Sequence, residues 1–208
     1  MKEHPILFST SMVQAILAGQ KTQTRRIVNP QPFLSKTYRS YSPKYEEYYT
    51  LNGKKEMNDW IKFCKYGQID DILWVRETWS PIEFENGINY RYKATFVENS
   101  ELHPKWKPSI FMPKVACRIK LLIKNIRVER LNDISEQDAV YEGIEEEGEF
   151  WKSYEIIHSG RHKGEMNPHS SVPNLSAITS YRELWESING FDSWAKNPWC
   201  WVIEFKKL

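Results

Sequence analysis

The feature that most constrains this chain is the apolar alternation over residues 115–130. Cys117, Ile119, Leu121 and Ile123 alternate with Arg118, Lys120 and Leu122, the period of a strand with one buried face. The phase then slips by one, because Ile126 and Val128 carry the apolar face onward. A one-residue slip is what a β-bulge produces, and a long bulged strand suits a small closed barrel. Shorter strands are predicted over residues 22–28, ended by Pro30 and Pro32, over residues 72–79 and over residues 89–94. Near the C-terminus Trp199, Trp201, Ile203 and Phe205 alternate with Cys200, Val202, Glu204 and Lys206, which predicts a closing strand with one buried face.

Helices intervene. Ser11 with Gln14 three residues on makes a capping-box pattern before the stripe Met12, Ala15, Ile16, and Gly19 supplies the stop. Ser135 with Asp138 starts a second helix over residues 136–142, stopped at Gly143. Residues 179–189 place Tyr181, Leu184, Trp185 and Ile188 on one helical face. A short helix is expected near residues 57–63, and residues 98–114, with three prolines, read as loop. The polar, Tyr-rich stretch at about 33–68 and the acidic, then Gly/His/Ser/Pro-rich stretch at about 145–175 read as insertions. Short strands among helices, without a βαβ rhythm, predict a single α+β domain built on a small β-barrel with flanking helices.

Composition narrows the function classes. A net charge of +2 on 208 residues is too small to make electrostatics the main clue. The charge is uneven, however: residues 101–130 hold a basic excess and residues 131–150 are acidic throughout. No apolar run of membrane-spanning length occurs, and the N-terminus lacks the apolar core of a signal peptide. The three cysteines, Cys64, Cys117 and Cys200, are far apart and odd in number. They fit a reduced, cytoplasmic protein with neither a disulfide framework nor a cysteine zinc site. His158 and His162 have helical i, i+4 spacing, but glycines surround them and no third ligand accompanies them, so they read as loop, as does His169. No phosphate-binding or dinucleotide-binding glycine motif is present. The expectation is a protein with no metal and no cofactor.

The segment that carries chemistry is Gly19-Gln20-Lys21-Thr22-Gln23-Thr24-Arg25-Arg26. A helix ends, a glycine turns the chain, and a strand begins with a lysine, two threonines and two arginines. A threonine hydroxyl attacks a carbonyl once a base takes its proton. Lys21 can be that base only if desolvation lowers its pKa far below about 10.4; charged, it stabilises an oxyanion instead, and a carboxylate handles the protons. The residues leave both roles open. In a flat strand Lys21 and Thr24 point to opposite faces, so they meet only if Lys21 still belongs to the turn. An ordinary polar strand edge with basic gatekeepers accounts for the same residues.

The pattern Gly19-x-Lys21-x-x-Thr24-x-Arg26 after a helix resembles the signature of ASCH-domain proteins, a PUA-like family. The resemblance continues through residues 72–79 (Ile-Leu-Trp-Val-Arg-Glu-Thr-Trp), through Leu131-x-x-Ile134-Ser135-Glu136-x-x-Ala139-x-x-Glu142-Gly143-Ile144, and through Val202-Ile203-Glu204-Phe205-Lys206. The layout is similar to the longer members found in phages and prophages. The resemblance implies a PUA-like barrel. It also implies a site of Lys21, Thr24 and Glu142, the set with which small bacterial members deacetylate N(4)-acetylcytidine without a metal. A hydroxyl nucleophile, a cation or amine and a carboxylate are together sufficient for amide hydrolysis. The family's glycine before the long strand is replaced by Asp70, in a turn where a positive φ favours glycine.

Arg26 is the anion-binding candidate, because it lies in the signature. Arg76 and Glu77 read either as a mutual buried pair or as lining of the pocket mouth. Trp79, Tyr90 and Trp106 read as core or as stacking surfaces for a base; Trp199 and Trp201 read as core or rim. The expected partner is a nucleoside or single-stranded RNA, with no membrane. The competing class is a non-catalytic RNA-binding module, which the basic stretch at 101–130 also fits.

Overall fold

The computed structural model describes residues 1–31, 58–84, 87–97, 103–154 and 176–208. The expected insertion cores, Pro32, Met57, His158, His162 and His169 lie outside the described residues. The architecture is mixed α+β. Five strands form one sheet in the order β1 (Glu3–Leu7), β3 (Ile72–Arg76), β6 (Lys120–Arg130), β9 (Trp199–Lys207), β2 (Gln23–Ile27). Two small antiparallel pairs join β4 (Trp79–Phe84) to β5 (Gly87–Tyr92) and β7 (Glu146–Glu147) to β8 (Phe150–Trp151). Among the described residues the five-stranded sheet does not close into a barrel. No helix among them is long and apolar enough to cross a membrane.

The chain divides into two compact units, the first made of Met1–Thr22, Lys65–Asn125 and Glu204–Leu208, the second of Gln23–Cys64 and Ile126–Ile203. The division falls where the sequence pattern changes phase. Leu121 and Ile123 are buried, Lys124 and Asn125 are both exposed, and Ile126 is buried again. The expected slip is therefore real, and it marks the change of unit along β6. The strand itself is shorter than expected. A 3-10 turn, Lys114–Ala116, starts after Pro113 and leaves Val115 exposed, so regular pairing begins only at Lys120.

In the first unit β1 runs parallel to β3 (Glu3↔Ile72 through Leu7↔Arg76), and β3 runs antiparallel to β6 (Ile72↔Leu122, Leu73↔Leu121). Helix α1 (Thr10–Leu17) buries Val13, Ala15 and Ile16. Its cap is Ser9, whose Oγ accepts from Met12 N at 3.3 Å, not Ser11 as the spacing suggested. The two extra residues at the start bring Ser11 inside the helix, where its hydroxyl meets that of Ser9. The strand expected over 72–79 is two strands: β3 stops at Arg76 and β4 starts at Trp79. The strand expected over 89–94 ends at Tyr92, where a 3-10 turn, Lys93–Thr95, takes over.

The turn before β3 is held by Asp71. Its carboxylate accepts from Lys2 N (2.6 Å) and Gln68 N (3.1 Å) and meets His4 Nε2 at 3.2 Å. The Lys2 amide in particular holds the Asp71 carboxyl below the usual carboxylate range. Asp70 does adopt the positive φ expected of it, +68°. Gly67, at φ +115°, is more constrained: a Cβ there would lie 2.8 Å from His4 Cδ2 and 3.1 Å from Asp71 Cβ. The His4 ring is tied to Asp71 and cannot swing away freely. Gly67→Ala is therefore expected to cost about 2–3 kcal/mol, combining backbone strain with the clash. The urea unfolding midpoint measures it, and an unchanged midpoint refutes the turn geometry.

In the second unit α2 (Glu136–Tyr141) is capped by Ser135, whose Oγ accepts from Asp138 N at 3.1 Å, as its spacing predicts. It packs with α3 (Ala177–Asn189), whose first amide donates to Glu136 Oε2 at 2.7 Å. Tyr181, Leu184 and Trp185 are buried, but Ile188 is 52 % exposed, because the apolar face is covered only along the first turns of α3. The expectation of a one-faced closing strand also fails. Cys200, Trp201, Val202 and Ile203 are all buried, so both faces of β9, which lies between β6 and β2 in the sheet, are covered along its middle. A strand covered on both faces carries apolar residues, here Cys200 and Val202, at the positions that alternation marks as outward.

Candidate functional site

The signature segment is built from a helix end, a tight turn and a strand start. Ala18 N closes α1 on Gln14 O. Gly19 then takes φ +79°, a conformation open to glycine without steric cost. Gln20 N and Lys21 N both donate to Ala15 O, at 2.9 and 3.1 Å. Lys21 thus belongs to the turn and not to β2, which begins at Gln23. The strand alternation that would have separated Lys21 from Thr24 does not apply to it.

Lys21 lies in the first unit and is only 1 % exposed. Its Nζ sits 5.8 Å from the centroid of the Phe8 ring. Thr24 lies in the second unit, buried on β2. Glu142 caps the C-terminus of α2, also in the second unit, and is 3 % exposed. A carboxylate at the end of a short helix inside an acidic run is ordinarily solvated; this one is buried. Arg26, half-buried on β2, lies close enough to Tyr181 to act on its hydroxyl electrostatically.

The second unit also assembles a network that the sequence reading missed. The Arg25 side chain is fully buried. Its Nη1 donates to Glu142 Oε1 (3.4 Å), and its Nη2 donates to Glu129 Oε2 and Asp138 Oδ2, both at 3.1 Å. Arg127 donates to Glu129 Oε1 (2.5 Å), Asp138 Oδ1 (2.9 Å) and Gln23 Oε1 (3.0 Å). Two guanidinium groups thus face three carboxylates. Burial works against the charge on Arg25, but Glu142 and Asp138 outweigh it and raise its pKa further. Burial pushes the Asp138 carboxyl up, yet Arg25 and Arg127 hold it below the usual range. Burial raises Tyr181 well above the ordinary phenol value and pushes the Cys200 thiol up to about 12. A signal for this network does exist in the sequence. Asp138 and Glu142 are i, i+4 on one helix face, and Gln23 and Arg25 alternate onto one strand face.

Arg76, Glu77, Trp79, Tyr90 and Trp106 belong to the first unit, Trp199 and Trp201 to the second. Arg76 and Glu77 do not pair with each other, because neighbours on an extended chain point to opposite sides. Arg76 donates to the carbonyls of Met112 and Ile110 and lies over the Trp74 ring. Glu77 is buried and takes a bidentate pair from Arg118, at 2.9 and 2.8 Å. Trp79 is core, edge-on to the half-buried Tyr90 at 5.7 Å. Trp106 meets Phe96 in the same edge-on way, Trp201 is buried, and Trp199 lies under the Arg130 guanidinium. Among the described residues no group of three His, Cys, Asp or Glu side chains is placed to hold a metal. No protein-family model, curated protein or solved structure matches the chain.

Proposed function

We propose that the chain is a nucleoside- or RNA-base-binding protein of the ASCH, PUA-like kind, and that it hydrolyses the amide of an acylated pyrimidine nucleoside such as N(4)-acetylcytidine. One observation carries this reading: the burial of Lys21, Thr24 and Glu142. Burying an ammonium and a carboxylate opposes folding unless each is compensated. Sites that perform acid–base chemistry are where such burial recurs.

In this reading Thr24 Oγ1 attacks the acetyl carbonyl carbon and its proton passes to Glu142 or to Lys21. The C–N bond breaks and the exocyclic nitrogen leaves as an amine, taking that proton. Water then hydrolyses the acetyl-threonine ester, giving acetate and restoring the hydroxyl. Lys21, when charged, steadies the oxyanion. Arg25 is a positioning residue, fixing Glu142 through one oxygen, and Arg26 holds ligand.

The test is acetate release from N(4)-acetylcytidine by the purified protein. Thr24→Ala and Lys21→Ala are expected to lower the rate by about 100-fold or more while leaving the far-ultraviolet circular dichroism unchanged. A wild-type protein that releases no acetate, or a Thr24→Ala variant that releases it at the wild-type rate, removes the hydrolase reading.

A further inference from the structure

We infer that the surface of the first unit around Arg118 binds single-stranded RNA, with a base stacked on the guanidinium and phosphates held by flanking lysines. The choice of RNA rests on the function proposed above; the surface itself uses none of Lys21, Thr24 and Glu142.

Arg118 is held flat on three sides. Its Nε and Nη2 bond both oxygens of buried Glu77, its Nη1 donates to Thr95 Oγ1 at 3.0 Å, and its carbon centre lies 4.0 Å from the centroid of the Tyr92 ring. Tyr92 is itself anchored, donating its hydroxyl to Ala116 O at 2.7 Å. The Arg118 side chain is nevertheless 26 % exposed. A guanidinium clamped at its edges, with a tyrosine behind it, is a preorganised plate for a flat ring, because the rotamer entropy usually lost on stacking is already removed.

Behind the plate the β4–β5 hairpin packs around buried Trp79. Trp79 pairs with Tyr92 across the strands and meets Tyr90 edge-on, and Lys107 Nζ sits 5.2 Å over Trp79. The same unit carries lysines that no carboxylate among the described residues offsets. Lys114 and Lys120 are tied to Glu3, but Arg91, Lys93, Lys105 and Lys107 have no carboxylate partner among the described residues. Lys93, Lys105 and Lys107 are exposed. A polyanion with exposed ring faces matches both features. A duplex hides its base faces and matches only the charge.

The test is fluorescence anisotropy of a labelled 12-nucleotide oligocytidylate, free of acetyl groups, titrated with the full chain over a range of salt. The Lys93→Gln, Lys107→Gln double variant is expected to weaken binding and to lower the slope of log K against log salt by about 1.4, at about 0.7 for each charge removed. Arg118→Lys keeps the charge and the Glu77 pair but removes the plate; it is expected to weaken binding by about tenfold with the slope unchanged. If Arg118→Lys folds poorly, the exposed lysine variants still decide. RNA binding by the wild type that neither substitution alters overturns the surface and leaves the proposed function standing. Equal affinity for duplex RNA, or tighter binding of single-stranded DNA of the same sequence, overturns the choice of single-stranded RNA. No binding of the oligonucleotide at low salt, with acetate still released from N(4)-acetylcytidine, overturns this inference alone; loss of both removes the proposed function as well.

Discussion

Replacing Arg25 with methionine is expected to lower the stability of the protein by about 3–5 kcal/mol at neutral pH. Methionine fills most of the volume, so little of this loss is a cavity. The loss comes from Glu142, Glu129 and Asp138, which share Arg25 and are left around an apolar side chain. Glu142 is almost fully buried and cannot turn to water in compensation. Arg25→Lys keeps a charge but offers one point donor where the guanidinium offers a fork, so it falls between the two. The pH dependence carries its own signature. Asp138 has its carboxyl held below the usual range, so its share of stability is present above about pH 4 and fades as the pH falls through its lowered value. Arg25→Met removes part of that depression. The gap between wild type and variant is therefore widest above about pH 5 and narrows in acid. Urea midpoints read by tryptophan fluorescence at several pH values measure it. A gap below 1 kcal/mol, or one independent of pH, refutes a buried network.

What the sequence made visible, and what it hid, follows from the range of the forces involved. The Ser135 cap and the Gly143 stop were readable because a cap is made within four residues. The phase slip after Ile123 was readable because alternation is local. The choice between Ser9 and Ser11 was not, since both precede the same apolar stripe and only packing decides which hydroxyl meets an amide. The double burial of β9 was not readable either. Cys200 and Val202 are apolar but small, and nothing nearby in sequence says that their side of the sheet will be covered too. At the candidate site, residue types and order singled out Lys21, Thr24 and Glu142 through family resemblance alone. Spacing would have left Glu142 as a solvated helix end. The signature points to Arg26 and is silent on Arg25. The partners of Arg25 on β6 and α2 are more than 100 positions away. Separation along the chain also hides Arg118 from Glu77: adjacency suggests Arg76 as the partner, while the fold pairs Glu77 across 41 positions.

The Glu77–Arg118 pair should be sharply asymmetric. Arg118→Met is expected to cost about 3–5 kcal/mol, because it leaves the Glu77 carboxylate, 1 % exposed, without a cation. Glu77→Gln is expected to cost about 1–2 kcal/mol, since the amide still accepts a hydrogen bond and the partly exposed guanidinium can turn toward water. Removing both charges, as Glu77→Leu with Arg118→Met, is expected to recover part of the loss seen for Arg118→Met alone, because no buried charge is then left without a partner. Tyr92 sharpens the contrast: its ring lies under Arg118 and its hydroxyl is fixed to Ala116, so loss of the guanidinium also uncovers an aromatic face packed beside Trp79 and Met112. Urea unfolding of the three variants beside wild type measures the order. Equal costs for the two single changes would mean that Glu77 reaches water as easily as Arg118 does, and a double variant worse than either would mean that the pair contributes packing rather than charge. The asymmetry also bears on the RNA surface, because the buried Glu77 carboxylate is what fixes the edge of the partly exposed guanidinium.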